Sequence, residues 1–202
     1  IAHFKLSNDK TRENCPPLEG LKILDVGCGG GLLCEPLTRL GATVTGIDAG
    51  QENIDIALEH AKSSGLTIDY RCTTSEDLAA TGAQFDCVTA LEIVEHVADV
   101  PLFIKSCSDL VRPKGQLFMS TLNRTLKSYA LGIIAAEYIL RWVPKGTHQW
   151  SKFLEPSELN DFLEKNGVAL QSLKGLTLDP FTNSWNLNND LDVNYLLSAV
   201  KR

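Results

Sequence analysis

The 202-residue sequence lacks the features that define several common classes of protein. Its six cysteines are scattered and include no Cys-x-x-C pair, which excludes the usual spacings of a zinc site and of a small disulfide scaffold. The formal net charge of −6 at pH 7 is the opposite of the basic excess of a general nucleic-acid binder, so no nucleic acid is expected as a partner. Internal repeats and low-complexity tracts are absent. We therefore expect a globular protein with reduced thiols, most of them in the core.

Apolar segments alternate with helix-like segments, which is typical of a doubly wound α/β sheet. Seven strands are predicted, at 21–26, 43–48, 67–72, 85–90, 115–121, 168–178 and 193–200. Helices are predicted between them, at 31–40, 51–64, 75–79, 91–96, 99–111 and 156–166. Because no full helix separates the last two strands, we expect them to form an antiparallel hairpin. The prediction is a single domain, residues 1–202, built on a mostly parallel sheet.

A long connection, residues 122–155, follows the fifth predicted strand, and such connections in compact domains are usually functional. Its central part, 126–143, is nearly apolar. Segment 124–152 carries five basic residues against one acidic residue, a local formal charge of +4. Two compatible interpretations stay open, a buried lid helix and a helix lying on an anionic membrane. A transmembrane span is disfavoured, because charged residues interrupt a segment that barely reaches the ~20 residues required.

A glycine-rich turn, Asp25-Val-Gly-Cys-Gly-Gly-Gly31, joins the first predicted strand to the helix after it. Gly27 and Gly29 permit a tight turn and the close approach of a ligand, and the following helix offers free N–H groups. Asp48 ends the second predicted strand, where a carboxylate can accept hydrogen bonds from ribose hydroxyls. Glycine turns also serve as plain connections, but the acidic residue at this place favours a site for a nucleoside-bearing cofactor.

Departures from two other nucleotide-binding patterns narrow the choice of cofactor. The dinucleotide pattern G-x-G-x-x-G/A, counted from Gly27, places its third glycine where this sequence has Leu32. That departure disfavours an NAD-dependent dehydrogenase. No lysine followed by serine or threonine comes after the turn, which disfavours a P-loop ATPase.

Two carboxylates and an imidazole follow the fourth predicted strand in Leu91-Glu-Ile-Val-Glu-His96. On the helix predicted at 91–96, Glu92, Glu95 and His96 are spaced i, i+3 and i+4 and would project from one face. This set suits Mg²⁺ through the carboxylates, or Zn²⁺ if the imidazole takes part. In the alternative without a metal, His96 lines a substrate pocket and Glu92 orients it.

These segments together resemble the ubiquinone-biosynthesis O-methyltransferases, a family of class I methyltransferases that use S-adenosylmethionine. The glycine turn is generic to class I methyltransferases. The long connection is more specific, as is Val143-Pro-Lys-Gly-Thr-His148 within it. Other similar stretches are Ser120-Thr-Leu-Asn-Arg124, Asp179-Pro-Phe-Thr-Asn183 and Asp192-Val-Asn-Tyr195.

The resemblance implies a Rossmann-like class I methyltransferase fold that carries an inserted apolar helical segment after the fifth strand. It also implies S-adenosylmethionine as cofactor, with contacts at Gly27, Asp48 and Leu91. Ser75-Glu-Asp77 lies where the family contacts adenine, although acidic residues at a helix start are also common caps. A metal-independent methyltransferase of another small molecule and a non-catalytic cofactor-binding scaffold stay open as alternatives.

For the reaction, the resemblance implies methylation of a hydroxyl on a polyprenylated catechol, with a divalent metal, Mg or Zn, at Glu92, Glu95 and His96. A phenol titrates near pH ~10, so a metal would help by stabilising the phenolate. The sulfonium already activates the methyl group, and the enzyme has mainly to align the reacting atoms. No catalytic residue is assigned, and His96 is the reserve candidate for a base.

The expected partners are the lipid-like substrate, an anionic membrane surface contacted through 124–152, and other proteins of ubiquinone biosynthesis. The expected location is peripheral. It is the matrix side of the mitochondrial inner membrane for a eukaryotic source and the cytoplasmic face of the inner membrane for a bacterial one.

Overall fold

An eight-stranded sheet forms the centre of the computed structural model, which describes residues 16–130, 149–179 and 184–202. The strands are β1 (Lys22–Val26), β2 (Thr43–Asp48), β3 (Asp69–Cys72), β4 (Phe85–Leu91), β5 (Val111–Leu122), β6 (Val168–Asp179), β7 (Ser184–Asn188) and β8 (Asn194–Lys201). They lie side by side in the order β3-β2-β1-β4-β5-β8-β6-β7. The first five pair in parallel, whereas β8 pairs antiparallel with both β5 and β6.

The helices connect the strands on both faces of this sheet. They are α1 (Cys34–Arg39), α2 (Gln51–Ser63), α3 (Ser75–Ala80), α4 (Val100–Leu110), the single turn α5 (Leu126–Ser128) and α6 (Pro156–Lys165). Two short 3₁₀ turns lie at Val94–His96 and Trp150–Lys152. Parallel strands joined through helices make the doubly wound α/β fold that the alternating pattern predicts.

The central strands are apolar because they are covered on both faces. In β4, Cys87, Val88 and Ala90 are all buried, and α4 packs beside them through Ile104 and Leu110. Four of the five cysteines that the structure describes are buried and all five are free thiols, as the scattered spacing predicts. The core therefore fixes the carboxyl ends of β1, β2, β4 and β5 at one edge of the sheet.

All seven predicted strands are present, and the last two pair antiparallel as expected, β6 with β8. They do not form the expected hairpin, because a further strand, β7, lies between them in the chain. The strand not predicted, β7, pairs with the distal half of β6 at the edge of the sheet. Most of its side chains are exposed, including Trp185 and Leu187. Its sequence alternates apolar with polar residues over only five positions, which is less conspicuous than the continuous apolar runs of the central strands.

The helix predicted at 91–96 is wrong. Strand β4 continues to Leu91, and Glu92 then adopts a left-handed backbone conformation with φ of 52°. Only the single 3₁₀ turn Val94–His96 follows before α4. The helix predicted at 31–40 also starts later, at Cys34, since Gly31 has φ of 82° and still belongs to the turn.

The long connection 122–155 is described only at its two ends. Residues 131–148 lie outside the described part of the chain, so the inserted helical segment stays a prediction there, and so does the stretch Val143–His148. Most of the stretch 179–183 lies outside it as well. Among the helices that the structure describes, none is long and apolar enough to cross a membrane.

Candidate functional site

The glycine turn packs tightly against the segment that follows β4. Gly27 has φ of 72°, and a Cβ atom at this position would lie 2.9 Å from Cγ1 of Ile93. At Gly31 a Cβ atom would lie 2.2 Å from the Tyr70 hydroxyl oxygen. A side chain at either position would displace its neighbour, so the glycines keep the turn closed over the carboxyl end of β1.

Asp48, at the end of β2, holds this turn in place. Its Oδ2 accepts a hydrogen bond of 3.0 Å from the Gly29 backbone N–H. Its Oδ1 accepts from the Gly50 N–H at 2.8 Å and from the Asn53 side-chain amide at 3.0 Å. These three donors fix the orientation of the carboxylate. They do not use all of its lone pairs, so acceptor capacity remains for a ribose hydroxyl.

Asp25 forms a second, buried anchor at the start of the turn, two residues before Gly27. Its Oδ1 accepts a hydrogen bond of 2.6 Å from the Thr89 hydroxyl, and its Oδ2 accepts one of 3.4 Å from the Cys34 thiol. Burial raises the pKa of this carboxyl, although both hydrogen bonds act against the increase. These contacts tie β1 to β4 and to the start of α1, beneath the predicted cofactor site.

A cavity of about 160 Å³ opens beside the turn at the carboxyl edge of the sheet. Its walls come from the ends of β1 and β2, the start of α3, the β4–α4 connection and α4: Val26, Gly27, Ile47, Asp48, Ala49, Thr73, Thr74, Ser75, Glu76, Ile93, Val97 and Phe103. Ligands of open α/β sheets bind at this edge. We call it the cofactor cavity.

The structure brings together most of the predicted cofactor residues and separates others. Gly27 and Asp48 both line the cofactor cavity, whereas Leu91 is not among its lining residues and pairs with Ser120 of β5. Ser75 and Glu76 line it too. Asp77 instead completes the start of α3, because its backbone N–H donates to the Thr74 hydroxyl.

Sequence reasoning missed the apolar wall of this cavity, formed by Ile93, Val97 and Phe103. No motif marks these residues, since each carries an ordinary apolar side chain. The only available signal was the position of two of them, just after the fourth strand, at the edge where α/β sheets bind ligands.

Ser120 of β5 holds Glu92 in its left-handed conformation. These contacts join the end of β4 to β5. The Glu92 N–H donates to the carbonyl oxygen of Ser120 at 3.0 Å and to its hydroxyl at 3.1 Å. The same hydroxyl donates to Glu92 Oε1 at 2.6 Å. A non-glycine residue in this conformation is strained by about 1–2 kcal/mol, and such strain is concentrated at functional sites.

Glu95 is the buried carboxylate of the site, with 3% of its surface exposed. Its Oε2 accepts a hydrogen bond of 2.9 Å from Thr121, the residue after Ser120 in β5. Its Oε1 has no hydrogen-bond partner among the residues described. The pKa of Glu95 is raised to about 7, chiefly by burial and secondly by the charge of Glu92.

The predicted metal triad is not assembled as the helical spacing required. Among the described residues, no group of three His, Cys, Asp or Glu side chains is placed to hold a metal ion. Glu95 is buried, whereas Glu92 and His96 are exposed. The reason is the missing helix, because the i, i+3, i+4 relationship does not apply across a left-handed residue and a 3₁₀ turn.

A second cavity, of about 300 Å³, lies between the N-terminal ends of α4 and α6, and we call it the α4–α6 cavity. Its lining residues are Val94, Glu95, Val97, Ala98, Val100, Arg124, Ser151, Lys152, Phe153, Leu154, Glu158 and Phe162. Val97 lines both cavities, so they are neighbours. Tyr195 supports one wall by donating a hydrogen bond of 3.0 Å to the Leu154 carbonyl oxygen.

The described basic residues of segment 124–152 differ in their partners. Arg124 pairs with Glu158 at 2.5 Å and Glu155 at 3.3 Å. Lys127 pairs with Asp190 at 3.0 Å and with Asp192 at 3.2 Å. These four acids offset much of the local positive charge.

Large apolar side chains are exposed at the same end of the connection. Leu126 is 81% exposed, and Tyr129 and Trp150 are exposed as well. The rings of Tyr129 and Trp150 pack edge to face with their centres 6.4 Å apart. The Trp150 indole N–H donates to the carbonyl oxygen of Thr125 at 3.0 Å.

Comparison with known proteins agrees with this geometry. Residues 5–173 match a family described as a methyltransferase domain. The chain is 56% identical over 185 residues to the ubiquinone biosynthesis O-methyltransferase of Bartonella tribocorum, covering 92% of this chain and 75% of the relative. It is 54% identical over 189 residues to the protein of that name from Brucella anthropi, covering 93% and 76%.

Two solved structures share the fold at low identity. An S-adenosylmethionine-dependent methyltransferase from Methanosarcina mazei superposes with a TM-score of 0.69 at 20% identity, covering 91% of this chain and 93% of its own. Magnesium protoporphyrin IX methyltransferase from Synechocystis, with bound SAH, superposes with a TM-score of 0.66 at 21% identity, covering 91% and 75%.

Proposed function

Because this chain belongs to the ubiquinone biosynthesis O-methyltransferase family, we propose that its acceptor is a polyprenylated catechol, methylated on one hydroxyl. The chain is an S-adenosylmethionine-dependent O-methyltransferase of the class I fold. The finer assignment, to a catechol ring with a polyprenyl tail, draws on the sequence resemblance and on the shape of the site.

The observation that carries the proposal is the adjacency of the two cavities through Val97. The cofactor cavity carries Asp48 and the glycine turn, which suit the nucleoside half of S-adenosylmethionine. The α4–α6 cavity combines apolar walls with one buried carboxylate, Glu95, which suits an aromatic ring bearing hydroxyl groups. A methyl donor and a phenolic acceptor can therefore bind side by side.

The chemistry asks mainly for alignment. Sulfur, methyl carbon and acceptor oxygen have to lie in line, and a site that holds both reactants supplies this through proximity. The Asp48 carboxylate would fix the ribose of S-adenosylmethionine, and the turn at Gly27 would fix the part of the cofactor that extends from the ribose. Glu95 lines the cavity proposed for the acceptor, where its carboxylate can accept or share the phenolic proton.

Metal assistance is a second, separate proposal, because the residues described do not form the predicted three-ligand site. A divalent metal would stabilise the phenolate. The charge of Glu92 contributes to the raised pKa of Glu95, so these two carboxylates lie close to each other. Magnesium is often held by one or two carboxylates with water completing its shell, so these two are the residues that would hold it.

The test is methyl transfer from labelled S-adenosylmethionine to catechols with and without a prenyl chain, with monophenols as the comparison. We expect transfer to catechols, with a lower KM for the prenylated ones. Asp48→Asn should raise the Kd for S-adenosylmethionine at least about tenfold, the effect of losing one good hydrogen bond to a charged group. Transfer to monophenols but not to catechols would refute the substrate assignment.

The metal proposal has its own test in the same assay. If a metal assists, a chelator should abolish transfer to catechols, and added Mg²⁺ or Zn²⁺ should restore it. Glu92→Ala should then weaken the dependence of methyl transfer on the metal concentration. Full activity in the presence of chelator would exclude metal assistance and leave the substrate assignment intact.

We also propose that the protein works at an anionic membrane surface, contacted through 124–152, where a polyprenylated substrate resides. In a bacterial cell this is the cytoplasmic face of the inner membrane, and in a mitochondrion it is the matrix face. Exposed Leu126, Tyr129 and Trp150 support the proposal, since aromatic and leucine side chains favour the membrane interface. Other proteins of ubiquinone biosynthesis are proposed partners at that surface.

Vesicle flotation tests the membrane proposal, with vesicles of phosphatidylcholine alone and with added phosphatidylglycerol. Binding should require the anionic lipid, and Leu126→Ser should weaken it. Leu102→Ser is a matched control, because Leu102 is also an exposed leucine but lies on α4. Equal loss in both variants, or no binding by the unchanged protein, would contradict the proposal.

A further inference from the structure

We propose that the α4–α6 cavity binds the aromatic ring of the acceptor, with a phenolic hydroxyl donating a hydrogen bond to Glu95 Oε1. This proposal rests on the proposed function and assigns, within it, the place of the ring. It gives Glu95 the role of a hydrogen-bond acceptor for the substrate, as the alternative to the metal-ligand role of Glu95 in the metal proposal above.

The first observation is the unused acceptor capacity of a buried carboxylate. Glu95 is 3% exposed, lines the α4–α6 cavity, and leaves Oε1 without a partner among the described residues. Buried polar atoms in folded proteins nearly always have a hydrogen-bond partner. An oxygen left unpaired at the wall of a cavity therefore points to a ligand that brings a donor, and a phenolic O–H is such a donor.

The second observation is the character of the remaining walls. Phe153 and Leu154 are buried, and Phe162 and Val100 contribute further apolar surface. A volume of about 300 Å³ lies at the lower end of the range for pockets that bind small ligands. A cavity that combines these apolar walls with polar groups, Glu95 among them, suits a hydroxylated ring better than a long isoprenoid chain, which offers no donor.

The third observation is that Thr121 decides which oxygen of Glu95 is available. Its hydroxyl donates to Oε2 at 2.9 Å, and Thr121 itself is fully buried in β5. This contact fixes the rotation of the carboxylate and leaves Oε1 as the free acceptor. Thr121 is accordingly a positioning residue that acts through Glu95.

The charges around the cavity are consistent with a neutral phenol entering. Arg124, at one wall, is already paired with Glu158 and Glu155. Lys152, also at the wall, makes no ion pair with the residues described and supplies the one basic group there without an acidic partner in that part of the structure. Glu95, a buried acid, and Lys152, a basic residue at the wall, would together orient a ring that carries two adjacent hydroxyls.

The first experiment fills the cavity. Ala98→Phe adds a ring to an exposed alanine that lines the α4–α6 cavity, and Ala80→Phe makes the same change at an exposed alanine in neither cavity. We expect Ala98→Phe to raise the KM for catechol at least about tenfold, equivalent to about 1.4 kcal/mol of binding. The Kd for S-adenosylmethionine should change less than about twofold, and Ala80→Phe should leave both values unchanged.

The second experiment removes the negative charge of the acceptor in one variant and its positioning residue in another. Calorimetry measures catechol binding to the full chain saturated with S-adenosylhomocysteine, in the presence of chelator. Glu95→Gln and Thr121→Val should each weaken catechol binding about tenfold, the size expected for a hydrogen bond to a charged group. Thr121→Ser keeps the hydroxyl and should restore binding, which a purely structural role for Thr121 would not predict.

The outcomes separate this proposal from the proposed function. If the unchanged protein methylates catechols while Ala98→Phe and Glu95→Gln keep their catechol KM, the ring binds elsewhere and the inference is overturned. If the unchanged protein methylates no catechol, the substrate assignment itself fails. If catechol binds only without chelator, Glu95 acts through a metal and the acceptor role is wrong.

Discussion

The substitution Glu95→Gln predicts a change in how stability depends on pH. Burial and the charge of Glu92 raise the pKa of Glu95 from 4.5 to about 7 in the folded protein. Between these two values the folded chain retains a proton that the unfolded chain has lost. The free energy of unfolding therefore falls as the pH rises through this window and levels off above it.

The magnitude follows from the two pKa values. A difference from 4.5 to about 7 corresponds to roughly 3 kcal/mol of lost stability, at about 1.4 kcal/mol for each pH unit. Glutamine cannot titrate, so the variant should lack this loss. We expect Glu95→Gln to approach the stability of the unchanged protein near pH 5 and to exceed it by up to about 3 kcal/mol near pH 8.

Urea unfolding at several pH values between 5 and 8, followed by tryptophan fluorescence in the presence of chelator, measures this difference. Other ionisable groups titrate in both proteins, so the comparison isolates Glu95. Thr121→Val serves as a control, because it removes the hydrogen bond that lowers the pKa of Glu95 and should extend the loss of stability to higher pH. A stability difference between Glu95→Gln and the unchanged protein that is constant over this range would refute the reasoning.

Three further predictions concern the turn and the strained residue. Gly31→Ala should cost more than about 2 kcal/mol by urea unfolding, because its Cβ would meet the Tyr70 hydroxyl at 2.2 Å, and adding Tyr70→Phe should recover part of that loss. Glu92→Ala should be less stable than Glu92→Gly by about 1 kcal/mol, because glycine tolerates φ of 52°; equal stabilities would mean that the strain is absent. Ser120→Ala should lower kcat with an unchanged Kd for S-adenosylmethionine, as measured by steady-state kinetics and calorimetry, because Glu92 loses the hydroxyl that holds it; a change in that Kd alone would contradict a role at the acceptor.

The sequence was sufficient for those parts of the fold that repeat a simple pattern. Strands β1, β2, β4 and β5 are apolar because both faces of the sheet are covered, so their positions follow from composition alone. The glycine turn and Asp48 were predictable for another reason, because a closed backbone turn and an acidic residue after the next strand each demand a particular residue type. The structure places Asp48 in hydrogen-bond contact with the turn, and the contacts of both with the cofactor stay a prediction.

The segment after β4 was not predictable in the same way. The spacing of Glu92, Glu95 and His96 suits a helix, but Ser120 pairs with the Glu92 backbone and extends β4 past the expected end. Local periodicity contains no information about a residue 28 positions away. Tertiary contacts therefore override the local pattern, which happens most readily at strained functional sites.

The stretch Ser120–Arg124 carries part of the resemblance to the family but has no evident role in the sequence alone, and this pairing gives it one. Ser120 and Thr121 point to opposite faces of β5, as successive strand residues must, and each hydroxyl takes a different carboxylate, Glu92 in one case and Glu95 in the other. The two acids are thereby held by neighbouring residues of one strand end, close enough for the charge of Glu92 to raise the pKa of Glu95. The same strand end leaves Glu92 exposed, whereas Glu95 is buried with one oxygen unpaired at the wall of the α4–α6 cavity.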